Sequence, residues 1–461
     1  MPWLPRPFVP FALCPFVPLS LSSPPTHDLV IIGAGAAGLM CAIAAGRTAR
    51  AAGRPLRIVA LDGAKTLGAK ILVAGGGRCN VTHERVDERD YAGSTPPAIR
   101  KVLGALPVAE TIAFFREIGV ELKREDTGKL FPTTDRARTV LDGLITECRR
   151  LSVELLHPWR VGAVERLGEA FVVREAAPPP SEAGLPFRPL RTLIARRVVL
   201  CTGGLALPRS GSDGAGYAFA RALGHTTTPR IFPALAPLVV HPPHFIHDLS
   251  GVAAPARLSV ASSTGKVLAA FTGPVLCTHF GLSGPAALNV SRHLTAARAD
   301  DPGAALHVNW LAGAAPEAVE TALRDARSTP ILRWLTSPPH ALPERLARAL
   351  MAHAGLDPVA TTDHLAREQR KALVDTLTRQ VVPVKSDRGF TYAEATAGGV
   401  PLSELILATL ESRRTPGVHL AGEICDVDGR LGGFNFQWAW ASGLVAGRGA
   451  AQALLSASKA V

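Results

Sequence analysis

Residues 28–42 read DLVIIGAGAAGLMCA, and this stretch decides the fold. The apolar run Leu29–Ile32 ends in glycines and passes into an alanine-rich segment, the pattern of a strand, a tight turn and a helix. Inside it, Gly33-Ala34-Gly35-Ala36-Ala37-Gly38 carries the dinucleotide spacing. Gly33 permits the turn, Gly35 lets backbone approach a pyrophosphate, and Gly38 lets helix and strand pack closely. The helix that opens at Ala36 and Ala37 turns free N–H groups and partial positive charge toward the phosphates. Leu56–Leu61 reads as the next strand, and Asp62 at its end is placed to accept hydrogen bonds from an adenosine ribose. The motif alone does not separate FAD from NAD.

Further glycine clusters extend the same site. The segment 198–204, VVLCTGG, is a buried strand followed by Thr202, Gly203 and Gly204, where backbone can approach a ligand. The segment 417–443, GVHLAGEICDVDGRLGGFNFQWAWASG, ends a strand at Gly422 and Glu423 and then opens a helix after Asp428, Gly432, Gly433 and Asn435. A carboxylate there suits ribityl hydroxyls. The helix start suits the pyrimidine end of a flavin, whose reduced ring is anionic. Glycines 33, 203 and 432 are expected to meet at the carboxyl ends of parallel strands. The segment 70–82, KILVAGGGRCNVT, sets Gly75, Gly76 and Gly77 between Lys70 and the trio Arg78, Cys79 and Asn80. Three glycines in a row are entropically costly and point to backbone contact with a planar ligand.

Two residues stand out as candidate proton donors. Cys79 lies beside Arg78, and a thiol near a guanidinium has a lowered pKa; a small buried cysteine beneath a ligand loop is the other reading. His279, in the segment 277–285 (CTHFGLSGP), is the second, against a packed and hydrogen-bonded histidine. The chain has no GxSxG elbow, no C-x-x-C pair and no H-E-x-x-H, so neither a Ser–His–Asp triad nor a metal is expected.

Working outward, 107–118 and 135–151 carry helical periodicity, 161–173 and 255–272 read as hairpins, and 176–190 reads as a loop. Residues 315–380 have helical spacing broken by prolines, Val418–Ala421 is a last strand, and 436–455 a last helix. A parallel-sheet domain interrupted by an insertion follows from this order. Eight of the first 25 residues are proline, which breaks any continuous apolar helix, so 1–26 is expected to be a disordered extension rather than a leader or a membrane span.

The 461 residues hold 47% hydrophobic and 19% charged residues, enough for a sizeable core and incompatible with overall disorder. Fifty Lys and Arg stand against 38 Asp and Glu, a net charge of +12. This fits either an arginine-rich genome or a polyanionic partner. A soluble, cytoplasmic protein is expected, with no membrane partner; oligomeric state is not set by the sequence.

Seven segments together resemble the HI0933/YhiN/BaiN-type bacterial flavoprotein family, the NAD(P)/FAD-dependent oxidoreductases: 28–42, 67–82, 128–144, 201–225, 278–286, EATAGGV at 394–400, and 417–443. The resemblance implies an α/β fold with a Rossmann-type FAD-binding domain and an inserted β-barrel-like part and small helical part. The expected division is 27–205 and 391–461 for the FAD domain and 206–390 for the inserted substrate domain. It also implies FAD as cofactor, NAD(P)H as electron donor, and reduction of a C=C bond conjugated to a carbonyl. The substrate would be a ribosomal RNA uridine, giving dihydrouridine, or a small enone such as a bile-acid or acyl-CoA conjugate. A non-enzymatic flavin-binding sensor or assembly protein is the reading from another class. Ala74, where many relatives carry Ser, and Phe434 and Phe436, where Tyr and an aliphatic residue are expected, depart from the pattern at positions suited to tuning substrate choice.

Overall fold

A computed structural model describes residues 25–177 and 189–457. The proline-rich start and most of the 176–190 loop therefore lie outside the described residues. Thr26, counted with the extension, already joins the sheet: its N–H donates to the Ile194 carbonyl at 2.9 Å.

The central sheet is built on four parallel pairings. His27–Ile32 lies between Ile58–Leu61 and Thr192–Leu200; Glu154–Leu156 flanks the former and Val418–Leu420 the latter. Leu29–Ile32 and Ile58–Leu61 are buried at every residue. A parallel sheet covered on both faces demands such unbroken apolar strands. The hairpin Val161–Leu167 and Ala170–Glu175 joins antiparallel to Thr192–Leu200. One hydrophobic core unites residues 29–223 with 400–454, so both ends of the described chain build one layer system. This core runs past residue 205: the helix Ala215–Ala222 buries Tyr217, Phe219 and Ala220 in it.

A second core spans residues 238–384. Its seven-stranded antiparallel sheet begins with Gln380–Val382 and ends with Val384–Asp387. Those terminal strands are consecutive in the chain, parted only by Pro383, so the sheet closes on itself as a barrel and leaves no long edge. The helix Arg367–Thr378 packs on its strands Ala305–Asn309 and Gln380–Val382, and Pro316–Asp325, Ile331–Thr336 and Glu344–His353 cluster with that helix, their apolar faces in the same core. The expected barrel-like and helical parts of the insertion are thus both present.

The chain ends meet where the helix Ala36–Ala51 packs against Phe434–Ala457. A β-carbon on Gly443 would sit 2.4 Å from the Ala37 carbonyl oxygen, and one on Gly447 2.2 Å from that of Cys41. Both contacts are with backbone, which cannot swing aside. Gly447→Ala therefore sets a helix-propensity gain of about 1 kcal/mol against overpacking of ~1–3 kcal/mol. The expected net is a lower denaturant midpoint than wild type; an unchanged or raised midpoint would contradict the close packing.

Candidate functional site

A cavity of about 750 Å³ lies over the carboxyl ends of the parallel strands. That size falls in the range of small-molecule and cofactor clefts, ~300–1,000 Å³. Gly33, Gly203 and Gly432 all line it, as do Gly35, Ala36, Ala37, Asp62, Lys70, Gly75, Gly76, Arg78, Asn80, Thr202, Gly422, Glu423, Gly433 and Asn435. Segments far apart in sequence thus converge on one wall, as the glycine spacing implies.

The first turn is dictated by close contact. Gly33 has φ +96°, and a β-carbon there would lie 2.3 Å from the Cys201 carbonyl oxygen. Gly38 packs within the turn itself, its β-carbon position only 1.8 Å from the Gly33 carbonyl oxygen, and it does not line the cavity. Gly35 differs: nothing lies within 4 Å of its β-carbon position, and it opens onto the cavity. As the N-cap of the first helix it supplies no side-chain hydrogen bond, so the leading amides remain for an anion. Asp62 sits in the same wall and accepts from the Ala64 N–H at 2.8 Å; burial raises its pKa.

The triple glycine is a left-handed turn. The helix Ala69–Gly77 breaks at Ala74 (ψ 143°), and Gly75, Gly76 and Gly77 follow at φ +58°, +67° and +83°. Gly75 and Gly76 face the cavity; Gly77 does not. Arg78 returns to the right-handed region at φ −98°, and Cys79 is left-handed again at φ +60°, with its thiol in the core. Cys79 is fully buried, does not line the cavity, and burial pushes its thiol pKa far up. The expected thiolate beside Arg78 is absent because Arg78 points elsewhere: it donates to Glu125 at 2.6 Å and stacks 4.1 Å over the Phe131 ring.

At the other wall, Gly422 is held by Ser442, whose Oγ accepts its N–H at 2.9 Å, and by Trp438, which donates to its carbonyl at 3.1 Å. Glu423 follows and pairs with Lys70 at 2.5 Å. Asn435 closes its own loop through reciprocal hydrogen bonds with Gly429, 2.8 and 3.0 Å. Gly204 lies behind the wall, its β-carbon position 2.5 Å from the Thr396 hydroxyl. Asp428 is also outside the cavity. It is buried and paired at 2.7 Å with Arg292 of the inserted domain, and burial lifts its pKa to about 6. It ties two domains rather than a ribityl chain. His279 is exposed in the turn after Val267–Thr278, edge-on to Phe280, and does not line the cavity. Gly281 and Gly284 beside it carry positive φ and press on barrel backbone, so that motif records packing.

The cavity fits FAD on three observations. Gly35 and Gly76 are open where a β-carbon would intrude. The start of the first helix is uncapped by any side chain. Asn80 Oδ1, Thr202 Oγ1 and Glu423 Oε1 are buried at the wall without a protein hydrogen-bond partner. Sequence reading overlooked Lys129, Phe131, Tyr392, Glu394 and Arg430, which complete the lining. The first four fall in or beside segments 128–144 and 394–400, which resemble the flavoprotein family but lack the dinucleotide glycine spacing. Among the described residues, no group of His, Cys, Asp and Glu is arranged for a metal ion, and no helix is long and apolar enough to cross a membrane.

A model of the HI0933-like protein Rossmann domain matches residues 27–449. The chain is 34% identical over 432 residues to 3-dehydro-bile acid delta(4,6)-reductase of Clostridium scindens, covering 92% of this chain and 98% of that protein. It is 32% identical over 417 residues to ribosomal RNA dihydrouridine synthase of Escherichia coli, covering 90% and 96%. The protein of that name from Haemophilus influenzae is 28% identical over 414 residues, covering 90% and 96%. The chain belongs to the HI0933-like family of FAD-dependent oxidoreductases.

Two outcomes check the site. Gly35→Val should leave the fold intact and abolish FAD binding, because its side chain meets no protein and fills the cavity; yellow protein after purification would refute the assignment. Cys79→Ala should retain FAD and substrate turnover within about twofold, since the thiol is sealed from the cavity. A loss of 10²-fold or more, the scale of a missing acid, would restore the thiol to the chemistry.

Proposed function

We propose that this HI0933-like protein reduces a C=C bond conjugated to a carbonyl, taking uridine in ribosomal RNA to dihydrouridine. The observation that carries the reading is that one cavity joins the cofactor cradle to a second set of groups, Lys129, Phe131, Tyr392 and Glu394, with Arg430 added from the cradle's own loop. When bound and reduced, FAD supplies hydride from its N5 position. The chain's own residues hold the cofactor through the amides after Gly35 and the helix start at Gly433, and orient Glu423 through Lys70. The second set receives a flat, polar acceptor and excludes bulk water from it.

A planar base is favoured by Arg388, stacked between Tyr392 at 3.5 Å and Phe280 at 4.2 Å from the ring centres. Tyr392 is 49% exposed and also lines the cavity, so the stack stands at its mouth. Aromatic and guanidinium faces of this kind hold unstacked bases. The uridine must leave its stack to expose a face to the cofactor. The net charge of +12 is what remains after ion pairs cancel, so the excess lies on other cations. Arg89, Arg100, Arg124, Arg324, Arg348 and Arg379 are each paired to a carboxylate close by. A small enone is the second reading, favoured by the apolar lining of Phe131, Leu235, Leu431 and Phe436. NAD(P)H is the proposed electron donor for either substrate.

Mass spectrometry of nucleosides from ribosomal RNA of cells with and without the gene tests the reading. Loss of dihydrouridine at one site in the deletion strain, restored by wild type and not by Gly35→Val, is expected. Unchanged RNA together with NAD(P)H-coupled reduction of a steroid enone would transfer the assignment to the second substrate class.

A further inference from the structure

We propose that Glu394 is the proton donor to the carbon adjacent to the substrate carbonyl, an inference that rests on the C=C reductase reading above. Glu394 lies at the bend just before the strand Ala395–Ala397. Ala393 and Ala395 on either side are fully buried, whereas the Glu394 side chain is open to the cavity that it lines. The backbone is fixed: the Glu394 N–H donates to the Leu235 carbonyl, and Ala395–Ala397 pairs with Phe232–Ala234 in a two-stranded sheet. The carboxyl is carried by this anchored backbone next to the strand, and among the described residues none hydrogen-bonds or ion-pairs with it.

The competing acids in the same cavity are otherwise engaged. Lys70 is tied to Glu423, Arg430 to Asp90 and Asp213 to Arg160. Asp62 belongs to the turn beside Gly33 and accepts a backbone N–H. Tyr392 stacks on Arg388 at the mouth. Lys129 remains, and it faces Glu394 as its near cation. Although its side chain is solvent-exposed within the cavity, desolvation by the surrounding walls raises the Glu394 pKa, opposed in part by the positive charges of Lys129 and Lys70. A carboxyl so placed can hold a proton closer to neutrality and return to charge beside a lysine after giving it up.

The step balances as follows. Hydride from the reduced cofactor brings two electrons and one hydrogen to the β-carbon, opening the C=C bond. The pair left on the α-carbon forms a C–H bond with the Glu394 proton as the carboxyl O–H breaks. The carboxylate is reprotonated from water before the next turnover, and the cofactor is left oxidised.

The test uses full-length, FAD-loaded protein reduced by dithionite without air. It is mixed in single turnover with ribosomal RNA transcribed in vitro, which contains uridine only, or with 4-androstene-3,17-dione. For wild type, reoxidation by the productive substrate should be level at low pH. It should fall as pH rises through the Glu394 pKa, because only the protonated acid donates. Glu394→Gln should keep FAD content and dithionite reduction. Its reoxidation should slow by roughly 10²–10⁴-fold and lose that pH limb, and Glu394→Asp should recover part of the rate. Independent of turnover, infrared titration should show a carboxyl band, absent in Glu394→Gln, with a midpoint above the usual carboxylate range. Equal rates and equal pH profiles in wild type and Glu394→Gln, with wild type active, overturn the inference alone. Wild-type protein that neither acceptor reoxidises overturns the reductase reading and this assignment together.

Discussion

The approach of two helices at the glycines 443 and 447 is the constraint on which the rest depends. It brings the last helix of the described chain against the first, close enough that a single methyl group would strike a carbonyl oxygen. The crossing aims both helix starts, after Gly35 and at Gly433, at one cavity. The same C-terminal helix also holds the other walls. Trp440 donates to the Val81 carbonyl and Gln437 accepts from Thr82, which fixes the segment after the triple glycine. Trp438 and Ser442 fix Gly422 and so place Glu423. One buried helix thus sets the spacing between phosphate-facing amides, the glycine turn and the carboxylate. Each of those hydrogen bonds is buried, where losing a partner costs about 1–3 kcal/mol.

The inserted barrel and helices make their own core, so they can fold around their own hydrophobic surface, while the cavity is lined by Leu235 and Thr391 on the segments that flank them. Their attachment is nevertheless specific. Arg292 and Asp428 form a buried ion pair, and Asn289 accepts the Leu431 N–H from the loop that leads into the last helix. Burying two charges is costly unless both are satisfied, so such a pair contributes more to orientation than to stability. Leu431 and Arg430, next to that latch, line the cavity. Any tilt of the insert would therefore be felt at the substrate-facing wall.

The parallel sheet, the phosphate turn and the closing role of the C-terminal segment were legible from glycine spacing, because close contact leaves glycine no substitute. The residues that line the cavity beyond the cradle were not, since they sit on a short strand, a turn, a bend and a loop with no spacing that marks them. Glu394 between two buried alanines reads in sequence as nothing more than a polar residue in a short run. Cys79 misled for a definable reason: its neighbour Arg78 is adjacent along the chain, but a left-handed backbone sends the two side chains to opposite sides. Asp428 misled in a similar way, as an acid in a glycine loop whose partner, Arg292, lies 136 residues earlier. Chain neighbours share a charge environment only where the backbone lets their side chains share a side.

The joining of both chain ends in one site also sets the timing of assembly. The strand and turn at 27–38 leave the ribosome first, yet their helix finds its packing partner only when residues 434–457 have followed. Until then the Gly35 amides face an incomplete wall, and the insert, with its separate core, has already had time to fold. Flavin loading in this architecture waits on residues 434–457, whose packing on the first helix brings the Gly422 and Gly433 wall to the cradle.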